Sequence, residues 1–302
     1  MHRHRALPTT LHARPFAITE AVDLGVGIGR LRGADLARPF RAVRSAHAAT
    51  VDIPSLARSY ATIMPPGQYF SYWTAAVLLG LRMPERVAGA GLDVAVHHPA
   101  RAPRPRGVRG HELLPTTRIV TLAGGLRVSS AVDTWCQLAR YLCVDDLIVM
   151  GDGLVCRTNP VATMDELVAA VTAWGHRPGV AALRKALPDI RVRTDSVRET
   201  MLRLLVVRAG FPEPIVNFEV RNRFGAVLGL ADLAFPEYRV LLEYDGGQHR
   251  DDEKQFHRDV ERLDDFMEEK WRVIRVNKEL MARRATLLHK VRTALTEAGW
   301  RG

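Results

Sequence analysis

Two apolar runs, 228–235 and 238–244, are separated by little more than Pro236-Glu237, and together they carry three acids: Asp232 in the first, Glu243 in the second and Asp245 just after it. Runs of this length, rich in Leu, Val and Phe and broken by proline, read as two paired strands. This pairing constrains the fold more than any other stretch, because it brings all three acids onto one sheet. Strand residues alternate faces, so Glu243 and Asp245 share a side and Tyr244 takes the other. Carboxylates set among buried aliphatic residues are costly without a reason. Three at close range repel one another, and a hard cation such as Mg2+, with Mn2+ as a substitute, relieves that repulsion through oxygen ligands.

The flanking sequence supplies the rest of a domain. A helix is expected over 196–209, with Leu202, Leu205 and Val206 on one face and Gly210 ending it. Strands at 215–220, 227–235 and 238–244 follow, then a helix over 254–270 with Phe256, Val260, Leu263 and Met267 at helical spacing, a strand at 271–276 and a final helix over 278–298. The order is α-β-β-β-α-β-α, a sheet between helices. Ser196-x-x-Glu199 has the form of a capping box, with a metal-site role as the alternative for Glu199. Arg258 on the second helix is a candidate phosphate contact, against an ordinary surface pair with its neighbours.

Taken together, Ser196-x-x-Glu199, Asp232, Glu243-Tyr244-Asp245-Gly246, His249, Arg258-Asp259 and Trp271-Arg272-Val273-Ile274-Arg275-Val276 resemble the uncharacterised bacterial domain related to very-short-patch-repair (Vsr) endonucleases, within the PD-(D/E)XK nuclease superfamily. The resemblance spans about residues 190–298. It implies a restriction-endonuclease-like fold, a DNA substrate and Mg2+. It also implies catalytic roles for Asp232, Glu243 and Asp245 as metal ligands and for His249 as general acid or base. The superfamily's E-x-K triplet is here Glu243-Tyr244-Asp245, so the work of the lysine falls to Gln248 or His249.

Charge is distributed unevenly ahead of this domain. The 302-residue chain carries a net +10, of which +8 lies in residues 1–190 (22 Lys and Arg against 14 Asp and Glu) and +2 in 191–302 (21 against 19). Arginine outnumbers lysine 38 to 5, which suits phosphate contacts and equally fits a compositional bias. Residues 17–44 read as a short helix, a break at Gly25, a second helix from Ile28 and a basic wing at 39–44, the layout of a winged helix-turn-helix. Arg30, Arg32, Arg38, Arg41 and Arg44 are then its DNA contacts, against a plain helical hairpin with a solvated arginine face.

The middle of the chain reads as a helical pattern over 52–81, a strand at 94–98, a basic loop at 99–110, a hairpin around Gly124-Gly125, helices over 131–142 and 164–174, and a linker over 178–193 with a short helix at 180–186. Together with Gly125-Leu126-Arg127-Val128-Ser129-Ser130, the segments 16–44 and 71–81 resemble the AbiEi-type antitoxin and regulator proteins. That resemblance implies DNA binding by the winged helix and a nucleotidyltransferase toxin as partner. His97 and His98 are adjacent on one strand and face opposite ways, which argues against a joint metal site with His111. The three cysteines, Cys136, Cys143 and Cys156, form no C-x-x-C pair, so neither a disulfide framework nor a zinc cluster is expected. No apolar run approaches the length of a membrane span and no apolar stretch follows the basic N-terminus, so a cytoplasmic protein is expected.

The sequence thus predicts an α/β chain of three parts: a winged-helix-like segment at 1–50, a mixed α+β region at 51–180 and a nuclease-like domain at 181–302. The expected function is Mg2+-dependent hydrolysis of DNA phosphodiesters. The alternative is a non-catalytic DNA-binding regulator or antitoxin built on a degenerate nuclease fold.

Overall fold

The computed structural model describes residues 6–46, 52–84, 91–245 and 253–302, with the backbone alone for 253–260. The chain is mixed α/β and divides into two compact units: Met1–Cys143 with Asp165–Arg184, and Val144–Met164 with Lys185–Gly302. Val144–Met164, inside the expected middle region, therefore packs with the C-terminal residues. No helix among the described residues is long and apolar enough to cross a membrane.

The first unit opens with β1 (Phe16–Ala17), α1 (Ile18–Asp23) and β2 (Val43–Arg44), β1 and β2 pairing antiparallel. Leu11, Phe16, Ala21, Leu31 and Leu36 form its core. The second helix expected of a helix-turn-helix is a single 3-10 turn at Arg30–Arg32, and the wing contributes only the two residues of β2. Gly25, Gly27 and Gly29 crowd that stretch, and glycine is the ordinary residue least suited to helix after proline.

α2 (Ile53–Ala61), β3 (Gln68–Phe70), α3 (Tyr72–Leu78), β4 (Leu92–His97), β5 (Val108–Leu113), β6 (Ile119–Thr121), β7 (Arg127–Ser129) and α4 (Ala131–Leu138) follow. The strands form one mixed sheet in the order β5-β4-β3-β7-β6. Helix was expected throughout 52–81. Instead β3 occupies the middle of the sheet, antiparallel to β4 and parallel to β7. Tyr69 and Phe70 are both fully buried, as a central strand covered on both faces requires, and aromatic residues suit either state. α2 is capped by Asp52, whose Oδ1 accepts the Ser55 N–H at 2.8 Å. The expected basic loop is shorter than 99–110, because β5 begins at Val108 and pairs in parallel with β4. At Gly110 a Cβ would stand 2.0 Å from the Pro103 carbonyl oxygen, so the loop folds back directly onto the strand. Gly110→Ala is expected to cost about 2 kcal/mol or more through this backbone clash, measured as a lowered urea midpoint.

The second unit begins with α5 (Val144–Leu154), which includes the Gly151-Asp152-Gly153 stretch. The first unit is completed by α6 (Met164–Trp174) and α7 (Val180–Ala186). The rest of the second unit runs α8 (Val197–Arg208), β8 (Ile215–Arg221), β9 (Val227–Phe235), β10 (Val240–Asp245), α9 (Glu253–Glu268), β11 (Arg272–Asn277), α10 (Lys278–Ala282) and α11 (Arg284–Glu297). This is the expected α-β-β-β-α-β-α order, with the last helix broken at Arg283, where ψ turns to 62°. The sheet order is β11-β10-β9-β8; β8, β9 and β10 are antiparallel neighbours, and β10 and β11 are parallel across α9.

Alternation sorts the sheet onto two cores. Leu233, Phe235, Val240 and Leu242 pack with Leu202 and Val206 of α8 and Leu287 and Val291 of α11. Ala234 and Leu241 pack with Leu263 and Phe266 of α9. Asp232 and Glu243 continue the second set, one row beyond the Leu242–Leu233 pair.

Candidate active site

Asp232 and Glu243 stand opposite each other on β9 and β10. The Glu243 Oε1 accepts the Asp232 N–H at 3.3 Å, and the Asp232 Oδ2 accepts the Tyr244 N–H at 2.6 Å. On the other side of β9 the β8 register skips one step between Val216–Leu233 and Phe218–Ala231. Asn217, the residue at that step, has a left-handed φ of +46°, a conformation asparagine tolerates better than most residues.

Asn217 is buried, and its Nδ2 donates to the Glu199 Oε2 at 2.8 Å and to the Arg193 carbonyl at 2.7 Å. The same Oε2 accepts the Asp195 N–H at 2.8 Å, while the Ser196 Oγ accepts the Glu199 N–H at 3.1 Å. The capping box thus forms with its reach shifted back by one residue. Glu199 is only 5% exposed, and its charge acts on Asp232. Burial first, then the Glu243 and Glu199 carboxylates, push the Asp232 carboxyl up to about 8, against the smaller opposing effects of the Tyr244 N–H and Arg262. Glu199 therefore has both roles considered for it: a cap, and a carboxylate of the site.

Asp245 is placed differently. It is half-buried, and its Oδ2 accepts from Arg275 of β11 at 2.9 Å. The expected trio of metal ligands is thus not gathered as a trio: the third carboxylate acting on Asp232 is Glu199. Among the described residues no group of three or more His, Cys, Asp or Glu forms a cation-binding cluster. Gln248 and His249 lie outside the described residues. Arg258 lies in the part of α9 described by its backbone alone.

Two residues of this site went unnoticed in the sequence. Arg262 of α9 donates to the Glu243 Oε2 at 3.1 Å and to the Leu230 carbonyl at 2.5 Å. Gly229 leaves it room, since a Cβ there would meet the Arg262 Cδ at 2.7 Å. Arg262 is one helical turn beyond Arg258, on the same face, so the helix period that marked Arg258 could have marked it too. Asn217 had a signal as well: a lone amide between Val216 and Phe218, in a strand where asparagine is disfavoured.

The N-terminal arginines separate into two kinds. Arg44 is buried and donates to the carbonyls of Leu31 at 2.7 Å, Val43 at 2.8 Å and Arg41 at 3.2 Å. It clamps the ribbon internally, which corrects its expected DNA contact: its donors are spent on backbone oxygens in the interior. Arg30 is half-buried and forms a two-pronged pair with Asp35 at 2.7 and 3.0 Å. Arg32, Arg38 and Arg41 are exposed. His97 and His111 are held apart, by the Thr117 carbonyl at 3.0 Å and the Asp93 carboxylate at 2.9 Å respectively.

No protein-family model matches the chain. Two relatives are found in Mycobacterium tuberculosis: Uncharacterized protein MT2308 of strain CDC 1551 / Oshkosh and Uncharacterized protein Rv2248 of strain ATCC 25618 / H37Rv. Each is 26% identical over 205 residues, covering 67% of this chain and 71% of the relative.

Proposed function

We propose that this protein is a Mg2+-dependent DNA endonuclease, with Asp232 and Glu243 as its metal-holding pair and Glu199 as the supporting carboxylate. The observation that carries this reading is the charge on Asp232: a half-buried carboxyl pushed up to about 8 by burial and two neighbouring acids is a site with more negative charge than it can hold alone. Mg2+ binds through one or two carboxylates and completes its octahedron with water and substrate phosphate, so the facing Asp232 and Glu243 fit it without a third protein ligand. A divalent cation held there supplies the Lewis acidity for phosphodiester hydrolysis.

The protein's own groups have distinct tasks in this reading. The Tyr244 N–H fixes one Asp232 oxygen, Arg262 fixes one Glu243 oxygen, and Asn217 with the Asp195 N–H fixes Glu199. These contacts hold the acids in place before substrate arrives. His249, with Gln248, is proposed to move the proton, and Asp245 to sit beside the pair, held by Arg275.

A second reading, a non-catalytic DNA-binding regulator or antitoxin acting with a nucleotidyltransferase toxin, is favoured by one contact. Arg262 already meets a Glu243 oxygen at 3.1 Å, a protein cation where a lysine-free site would otherwise depend on metal. Incubation with plasmid, linear and single-stranded DNA in Mg2+, Mn2+ or EDTA separates the two readings. The nuclease cleaves with metal only and loses on the order of 10^3-fold in rate as Asp232→Asn. Cleavage that survives in Asp232→Asn removes the assignment; specific DNA binding that is indifferent to EDTA, with no cleavage, establishes the regulator.

A further inference from the structure

A second built cluster lies in the first unit, far from the acids in sequence. Asp93 of β4 is 2% exposed and receives the Arg109 Nε and Nη2 at 2.9 and 2.8 Å and the His111 Nε2 at 2.9 Å. Arg109 and His111, two apart on β5, thus share one buried carboxylate. Tyr72 stacks on His111, with ring centroids 4.3 Å apart and planes inclined by 31°. Its φ is +45°, a strained value for a bulky aromatic residue. The strain is held by the Gln137 Oε1, which accepts the Tyr72 N–H at 3.0 Å. Strain sustained by several fixed contacts is a mark of functional sites.

Above this base stands Tyr141, 52% exposed. Its ring meets the Tyr72 edge at 6.0 Å and Trp73 at 6.3 Å, and the Arg140 guanidinium lies 5.0 Å from its centroid. Arg109 is within electrostatic reach of it: Asp93 chiefly, and the Tyr141 phenol to a lesser degree, hold the Arg109 pKa up. The loop folded back onto Gly110 adds Arg101, Arg104 and Arg106, all exposed and, among the described residues, paired with no carboxylate. The acids of this face are engaged: Glu112 accepts the Ala102 N–H, and Asp133 accepts from Ser130 and the Arg118 N–H. An exposed aromatic on a rigid base beside unneutralised arginines is the chemistry that holds an unpaired nucleotide, base on ring and phosphate on guanidinium.

We propose that this face of the first unit binds single-stranded DNA, with Tyr141 as the base-stacking platform and Arg101, Arg104 and Arg106 as phosphate contacts. The proposal names the form of nucleic acid the chain grips, and it rests on the nuclease reading only for the choice of DNA. The test uses the full chain in EDTA, with fluorescein-labelled oligothymidylate and a duplex of matched length, read by anisotropy over a range of NaCl concentrations. Tyr141→Ala is expected to weaken single-strand binding about ten-fold with an unchanged slope of log K against log salt, and Tyr141→Trp to restore it. The triple change of Arg101, Arg104 and Arg106 to Ala is expected to flatten that slope by about 2, at roughly 0.7 per phosphate contact. Tyr141→Ala binding as tightly as the unaltered chain, or a preference for duplex indifferent to Tyr141, overturns the proposal. Asp232→Asn in parallel keeps the readings apart: it loses cleavage if the nuclease reading holds and binds single strands normally, because no metal is present.

Discussion

In EDTA at pH 8, Asp232→Asn is expected to unfold at a higher temperature than the unaltered protein. A carboxyl whose folded pKa is raised from 3.8 to about 8 binds its proton more tightly in the folded chain than in the unfolded one. Between those values the folded state holds more protons, so stability is full below about pH 4 and falls as pH rises toward 8. Asparagine keeps an oxygen for the Tyr244 N–H and carries no charge, so it removes the penalty. Discounted for the solvent that reaches a half-buried group, the gain is about 2–4 kcal/mol at pH 8, vanishing near pH 4. Thermal melts of both proteins from pH 4 to 8 check it; curves that stay parallel across that range would show that Asp232 is not under charge stress. Stabilisation on losing a residue whose loss also abolishes cleavage is the signature of a site kept for function at the expense of stability.

How far the sequence could be read follows from the range of the forces involved. The hairpin carrying Asp232 and Glu243 was legible because alternation and the Pro236-Glu237 break are local signals, and the structure pairs those strands across a 3-10 turn at Pro236–Tyr238. The strand at Gln68–Phe70 was hidden inside a helical pattern, since a central strand buried on both faces has no alternation to show. α5 was hidden for a related reason. Its Gly151 and Asp152 read as loop, yet a Cβ at Gly151 would meet Ile190 at 2.4 Å, and Asp152 is fully buried. Both residues answer to partners dozens of positions away. The same holds in the site. Asn217 and Arg262 act through Glu199 and Glu243, 18 and 19 residues off, and the choice of Glu199 over Asp245 depends on where Arg275 falls across a parallel strand pair.

The largest loss of stability is expected at Arg203. Its side chain is 1% exposed and that of Asp152 is fully buried. The Arg203 Nη2 donates to the Asp152 Oδ2 at 3.2 Å and to the Asp189 carbonyl at 2.7 Å, joining α8 to α5. Asp152 also accepts the Arg191 N–H at 2.7 Å and the Thr200 hydroxyl at 2.8 Å. Burial pushes the Asp152 carboxyl up, and the Arg203 charge is the strongest influence against it. Arg203→Met strands that carboxylate and is expected to cost about 3–5 kcal/mol at pH 7. Adding Asp152→Asn keeps the oxygens that Arg191 and Thr200 need, so the double variant is expected to recover a large part of the loss. Urea unfolding of the single and double variants measures both numbers, and a double variant weaker than Arg203→Met alone would show that the pair is not the source of the cost.

That the acids on β9 and β10 await a divalent cation is tested most directly by calorimetric titration of Mn2+ into the metal-free protein at pH 8, alongside Asp232→Asn and Glu243→Gln. The account predicts binding to the unaltered protein with release of the Asp232 proton, seen as a heat that varies with the ionisation enthalpy of the buffer, and loss of that binding in both variants. Unaltered protein that takes up no Mn2+, or variants that bind it equally well, would contradict it.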